Sequence, residues 1–246
     1  MLYAVAALII IIFYLLIHQK KYRVYRNKVD VAPLHREIRK HGNVKVPGVL
    51  YENDEQLGSF KKDVSEMCIK DILKHGNKSL QYKSDFNDNN PFTRTVARFV
   101  KRNMGLKSLD GCVIRVCSSP WHYKAHFDCI DNYATMMYGS KTFLLFDMYK
   151  LPIEKQRKIL NITKNMSIPE CANTLKTYGI SSDTVVLKEG DVLFIPSPIY
   201  HKVESREPSI LFNYTFEGKM IRDSPEKFSQ LWPEQDKVCT ENNCLY

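Results

Sequence analysis

The chain has 246 residues, of which 44% are hydrophobic and 26% charged, with a formal net charge of +9. This is enough chain for one medium domain with a buried core, and the composition excludes a disordered or fibrous protein. Seven cysteines occur without a CxxC pair, so neither a full disulfide set nor a zinc ribbon is indicated, and a reducing compartment is the simpler reading.

The charge is unevenly placed. Residues 1–19 contain no Lys, Arg, Asp or Glu. Between Lys20 and Lys40 there are eight basic and two acidic residues, a local excess of +6, which leaves +3 for the 206 residues that follow. The basic character therefore belongs to one segment and not to a nucleic-acid-binding face, and no nucleic acid partner is expected.

Leu2 to Ile17 is an apolar run of 16 residues, slightly short of the roughly 20 that span a bilayer, with Tyr3 and Tyr14 available at the interfaces. The rival reading, a cleaved signal peptide, lacks a basic region before the run and a small-x-small site after it. The basic block on the carboxyl side predicts a single-pass membrane anchor over residues 1–19, contacting the lipid bilayer through residues 2–17, with the domain facing the cytoplasm. The same cations can touch anionic headgroups. Sequons at Asn77, Asn161, Asn165 and Asn213 do not decide the topology.

Residues 20–46 read as a basic juxtamembrane linker, and residues 47–246 as one domain. Residues 53–75 carry Leu57, Phe60, Val64, Met67, Cys68 and Ile72 on a helical stripe that stops at Gly76. Asn90-Pro91 opens a second predicted helix through about Met104. After Gly111 the period becomes that of strands: Cys112–Cys117, a segment around His126–Asp128, Ala134–Tyr138, Lys141–Phe146, Thr184–Leu187, Val192–Ile195 and Ile210–Phe216. Gly139-Ser140 and Glu189-Gly190-Asp191 read as hairpin turns. Residues 150–178 are helical in texture, with Gly179 as the stop, and 223–246 read as a helix and a polar tail. Helices followed by short strands predict an α+β domain built on a β-barrel or jelly roll.

Three features carry chemistry. On a strand, His126 and Asp128 in His126-Phe127-Asp128 point to one side, so an imidazole and a carboxylate are aimed together. A second imidazole with that pair would suit divalent iron and leave open positions. His201 follows Gly190-Asp191-Val192-Leu193-Phe194-Ile195-Pro196 and emerges at a strand end; it is either that ligand or a loop histidine. Lys141 begins a strand that is apolar on both faces. It is either a solvated turn residue or the receiver of a buried carboxylate. His122, four residues before His126, would compete as a ligand only if the segment were a helix.

The segments HFDCIDNYATMMYGSKTFLLF and LKEGDVLFIPSPIYHKVES resemble the two halves of the site in the JmjC/cupin-8 family of Fe(II)- and 2-oxoglutarate-dependent hydroxylases, which includes the asparaginyl hydroxylase of hypoxia-inducible factor. The resemblance covers roughly residues 112–216. It implies a double-stranded β-helix (cupin/jelly-roll) barrel with flanking helices. It also implies iron held by His126, Asp128 and His201, and Lys141 pairing with the far carboxylate of 2-oxoglutarate. Asn132 and Asn213 would orient ligands or co-substrate. Tyr123 stands where the family often has Thr, and would supply a second hydroxyl contact to the co-substrate. Lys124-Ala125 and Asp147-Met148 also depart from the family pattern. The expected activity is hydroxylation of a protein side chain. The alternatives are a metal cupin of another class (an isomerase or a cofactor-free dioxygenase) and a non-catalytic membrane-tethered binding module. The substrate and oligomeric state are not written in the sequence.

Overall fold

A computed structural model describes residues 22–32, 35–36, 49–54, 58–63, 79–84, 111–117, 121–128 and 131–216. Its elements in chain order are β1 (Arg23–Tyr25), β2 (Val49–Asp54), β3 (Gly58–Asp63), β4 (Ser79–Ser84), β5 (Gly111–Cys117), β6 (Trp121–Phe127), β7 (Asp131–Tyr138) and β8 (Ser140–Phe146), then α1 (Ile153–Thr163), α2 (Ile168–Thr177), β9 (Ser182–Lys188), β10 (Val192–Ile195), β11 (Tyr200–Ser205) and β12 (Ser209–Phe216).

The strands form two antiparallel sheets. One has the order β1-β10-β7-β12-β5-β4-β2-β3 and the other β6-β11-β8-β9. Alternation along β8 shows how they pack. Phe143 and Leu145 turn inward and meet Ala134, Met136, Leu193, Ile195 and Leu211 of the larger sheet. Leu144 and Phe146 turn outward and meet Ile159 of α1 and Cys171 and Leu175 of α2. β8 is thus buried on both faces over Phe143–Phe146, which is why that stretch is continuously apolar. The cupin jelly roll with helices on one side is the fold expected from the sequence.

Helix ends follow local chemistry. Ser167 and Glu170 form a capping box at the start of α2. At its other end Gly179 takes φ +73°, and the Gly179 and Ile180 amides donate to the carbonyls of Lys176 and Leu175.

Both expected hairpins are corrected. Gly139 and Gly190 do adopt positive φ. However, β7 and β8 belong to different sheets, as do β9 and β10. Each turn carries the chain across the barrel. Turn residues specify a reversal of direction; the strand that then pairs is chosen by distant segments.

The helix expected over 53–75 is also corrected, because residues 58–63 form β3, paired in register with β2. The apolar stripe there is interrupted by Asn53, Asp54 and Gly58, residue types that are poor in helix interiors, and β2 gains a second partner in β4. Residues 64–75, the expected helix from Asn90-Pro91 to Met104, the anchor over Leu2–Ile17 and the tail 223–246 lie outside the described residues. Among the described residues no helix is long and apolar enough to cross a membrane.

β1 falls within the segment read as a linker, and it is the edge strand of the larger sheet, paired with β10. Arg26 donates to the carboxylate of Asp191 at 2.5 Å, and the Asn27 and Lys188 amides donate to the same side chain at 3.0 Å each. Part of the basic block therefore has a structural partner. Asp191 is buried, and burial alone would raise its pKa; the amides and Arg26 outweigh this and hold it below the ordinary carboxylate value.

A Cβ at Gly139 would collide with the Pro208 carbonyl oxygen, whereas one at Gly179 would meet nothing. Gly179→Ala should cost about 1–2 kcal/mol, the left-handed backbone penalty alone. Gly139→Ala should cost clearly more, measured as the shift in urea-unfolding midpoint of the two variants.

Candidate metal and anion site

β6 and β11 lie side by side, with His201 opposite His126 and Val203 opposite Tyr123. Two steps along β11 are thus matched by three along β6, which is a β-bulge at Lys124-Ala125. The bulge changes which side chains turn inward. Tyr123 packs against the inner core, while Ala125 and Phe127 pack beneath the helices. Tyr123 and His126, three residues apart, are therefore both turned into the barrel. His122 is exposed on β6 and stands outside the cluster described next. The helical spacing that would make it a ligand does not form.

His126, Asp128 and His201 come together, with their ligand atoms all within 4.8 Å of one another. The His126 Nδ1 lies 2.8 Å from the Lys124 carbonyl oxygen, and the His201 Nδ1 lies 3.3 Å from that of Ile199. A carbonyl only accepts, so each Nδ1 carries the hydrogen and each Nε2 presents a lone pair. Those Nε2 atoms face Asp128 at 4.0 and 3.7 Å. Such gaps are too long for hydrogen bonds but accommodate an ion at roughly 2.0–2.2 Å from each atom.

Protonation agrees with this. Burial, and then the neighbouring His126, push His201 down to about 4. His126 is also lowered, chiefly by burial, though its side chain keeps 29% exposure and the penalty is weaker there. Both rings are neutral at pH 7. For Asp128, burial is the largest influence and would raise the pKa. His201, His126, the Asn132 hydrogen bond and Arg115 outweigh it, so the group is held below the ordinary value. Two neutral imidazoles and one carboxylate form the donor set that suits non-haem Fe(II), with open positions for other ligands.

A polar line runs from this cluster across the larger sheet. Asn132 donates to Asp128 at 2.7 Å, Asn213 donates to the Asn132 side-chain Oδ1 at 3.1 Å, and Arg115 donates to the Asn213 side-chain Oδ1 at 3.1 Å. The Arg115 guanidinium also lies over the Tyr123 ring, 5.2 Å from its centroid. On the other side of the barrel Lys141, only 1% exposed, lies 5.4 Å from the same centroid and donates to the Cys117 sulfur at 2.9 Å. Lys141 is thus buried and not a solvated turn residue. Burial lowers its pKa, and Cys117 partly opposes that. Among the described residues, neither Lys141 nor Arg115 has a carboxylate in ion-pair contact.

Arg115 and Cys117 were not singled out from the sequence. The available signal was an arginine inside the otherwise apolar strand Cys112–Cys117, two residues from a cysteine and hence on the same face of β5.

The cupin-like domain family matches residues 20–220. The chain belongs to that family, in its JmjC-type branch. No curated protein matches it. Two solved structures of the ribosomal oxygenase YcfD from Escherichia coli are similar to it, each with a TM-score of 0.49. One is 16% identical, with 93% of this chain and 55% of that chain covered; the other is 14% identical, with 92% and 54% covered. The cupin-like chain described here thus spans about half the length of those proteins.

Two outcomes follow from the site. Asn132→Ala should weaken divalent-metal binding roughly 10–100-fold with the fold intact, as loss of an outer hydrogen bond to a ligand does; competition with a chelator measures it. His201 has a folded-state value of about 4 against an ordinary 6.5. As pH falls below 6.5 the unfolded chain takes up the proton first, so the metal-free protein loses stability from there down to about 4. Urea midpoints across that range should fall with acid, and His201→Gln should flatten the slope.

Proposed function

We propose that the chain is an Fe(II)- and 2-oxoglutarate-dependent oxygenase that hydroxylates a protein side chain. The observation that carries this reading is a lysine buried to 1% exposure inside the barrel with no acid partner among the described residues, in the same barrel as a two-histidine, one-carboxylate cluster. A buried ammonium without an anion is costly, and an anionic ligand would relieve it. A cupin that works as an isomerase or a cofactor-free dioxygenase has no need of that cation.

Register gives the separation of the two ends. Leu145 pairs with His201, and Lys141 lies four residues earlier on β8. That is roughly 13 Å of strand at about 3.3 Å per residue. A dicarboxylate held at the metal by one end would extend along the barrel toward Lys141. Bound iron with 2-oxoglutarate supplies the oxidising power for hydroxylation, with dioxygen consumed and succinate and carbon dioxide released.

The chain's own groups have distinct parts in this reading. His126, Asp128 and His201 hold the metal. Lys141 takes the far carboxylate, and the Tyr123 hydroxyl and Arg115 lie beside it. Asn132, itself held by Asn213, fixes the carboxylate of Asp128 with one oxygen toward each imidazole. His126, the more exposed imidazole, marks the side from which a substrate side chain enters. The apolar run Leu2–Ile17 and the basic residues after it support anchorage in a bilayer with this domain on the cytoplasmic side, which a protease-protection assay on sealed vesicles tests.

Anaerobic titration of the Fe(II)-loaded protein with 2-oxoglutarate should produce the metal-to-ligand charge-transfer band of the chelate. No band would exclude the oxygenase and leave another metal cupin or a binding module. Lys141→Met should keep the metal content but raise the apparent 2-oxoglutarate constant by two orders of magnitude or more, because losing one member of a buried pair costs about 3–5 kcal/mol. An unchanged constant would remove Lys141 from co-substrate binding.

A further inference from the structure

The contact between Lys141 and Cys117 serves neither the metal cluster nor hydroxylation. Cys117 is fully buried, not disulfide-bonded, and receives the Lys141 ammonium at 2.9 Å, with the Tyr123 hydroxyl 3.5 Å from the same sulfur. The two residues are 24 positions apart and belong to different sheets, Cys117 on β5 and Lys141 on β8. Both side chains are held by inward-facing strand positions, so neither can turn away from the other without disturbing the barrel.

We propose that Cys117 and Lys141 form a peroxide-sensitive covalent latch, in which oxidation joins Sγ to Nζ as a sulfenamide and withdraws the lysine from anion binding. The chemistry balances with hydrogen peroxide as the oxidant. The Cys117 thiol is oxidised by two electrons to the sulfenic acid while peroxide is reduced to water. The lone pair of Nζ then attacks sulfur; the S–O bond breaks, the S–N bond forms, and the hydroxyl leaves as a second water. Starting from the thiol and the ammonium, one peroxide is consumed and two waters and one proton are released. A nitrogen already touching the sulfur outcompetes external thiols, which cannot reach a buried site. Burial disfavours the charged form of Lys141 and so raises the fraction of neutral amine that the second step requires. Peroxide is smaller than the dicarboxylate proposed for the cavity, so the route that admits one admits the other. The bond would abolish a positive charge and tie the two sheets together. The bond itself is independent of the oxygenase reading, whereas its effect on the co-substrate rests on it.

The test uses the full chain loaded with redox-inert Zn(II), exposed to hydrogen peroxide, unfolded, treated with an amine-acylating reagent and digested. Mass spectrometry should find the Cys117 and Lys141 peptides joined and lighter by two hydrogen atoms than their sum, with Lys141 unacylated. Dithiothreitol should release them, and Cys117→Ser should give no joined peptide. Cys171, whose thiol is pushed up by burial among the helices, serves as the internal control and should stay reduced. Recovery of Cys117 as thiol or as sulfinic acid, with Lys141 fully acylated, would overturn the latch. In a parallel sample, 2-oxoglutarate at about ten times its dissociation constant should slow the cross-link about tenfold by occupying Lys141. A cross-link that forms at an unchanged rate there would support the latch and count against the carboxylate role of Lys141, so the two ideas fail separately.

Discussion

A carboxylate placed inside a β-barrel must find donors, and the burial of Asp128 is the constraint around which this interior is arranged. Its neighbours at pH 7 are two uncharged imidazoles, which offer lone pairs and no positive charge. Its hydrogen-bond donor is the Asn132 amide, which is held in turn by Asn213 and, through Asn213, by Arg115. Each member of that line comes from a different strand of the larger sheet or from the end of β6. The line consequently holds β5, β12 and β7 in one lateral register at the level of the metal cluster, where hydrogen bonds in a low-dielectric interior are strong and costly to leave unmade.

The opposite requirement operates a few residues along the barrel. There the excess is positive: Lys141 and Arg115 approach the same aromatic ring, whose negative face offers partial compensation, and the Cys117 sulfur accepts the ammonium hydrogen. These are weak partners for an ammonium as buried as that of Lys141. The interior is thus polarised, with an anion among lone pairs at one level and, at another, cations that have no acid partner among the described residues. The ligand proposed above, with a metal-chelating end and a distal carboxylate, would complete both. The same imbalance leaves the lysine resting on a cysteine, the contact on which the proposed oxidative latch rests.

The fold supplies this polarisation through two irregularities. The β-bulge at Lys124-Ala125 breaks strict alternation on β6 and brings Tyr123 and His126 to the interior together. The turns at Gly139 and Gly190 carry β7 into β8 and β9 into β10 across the barrel. Without the first crossing, Lys141 would follow β7 within the same sheet. With it, Lys141 lies on the sheet facing Cys117. The glycine at 139 is required twice over, by its backbone conformation and by the proximity of the Pro208 carbonyl.

By itself the sequence determined what depends on neighbours in the chain. The alternation that aims His126 and Asp128 together, the capping box and glycine stop of α2, the positive-φ turns and the apolar β8 are all set by contacts within a few residues. So is the choice of donors, since two histidines, one aspartate and a lysine carry their chemistry wherever they are placed. The tertiary structure alone decided which strands pair, and therefore whether a turn closes a hairpin or crosses the barrel. It also turned residues 58–63 into a strand despite a helical apolar stripe, made β1 an edge of the sheet, and excluded His122. Arg115 and Cys117 became legible only there, because their partners lie 98 and 24 residues away in sequence. Hydrogen bonds and ion pairs reach about 3 Å in space regardless of chain separation, and no local pattern records a contact between strands that the chain joins only by way of the whole barrel.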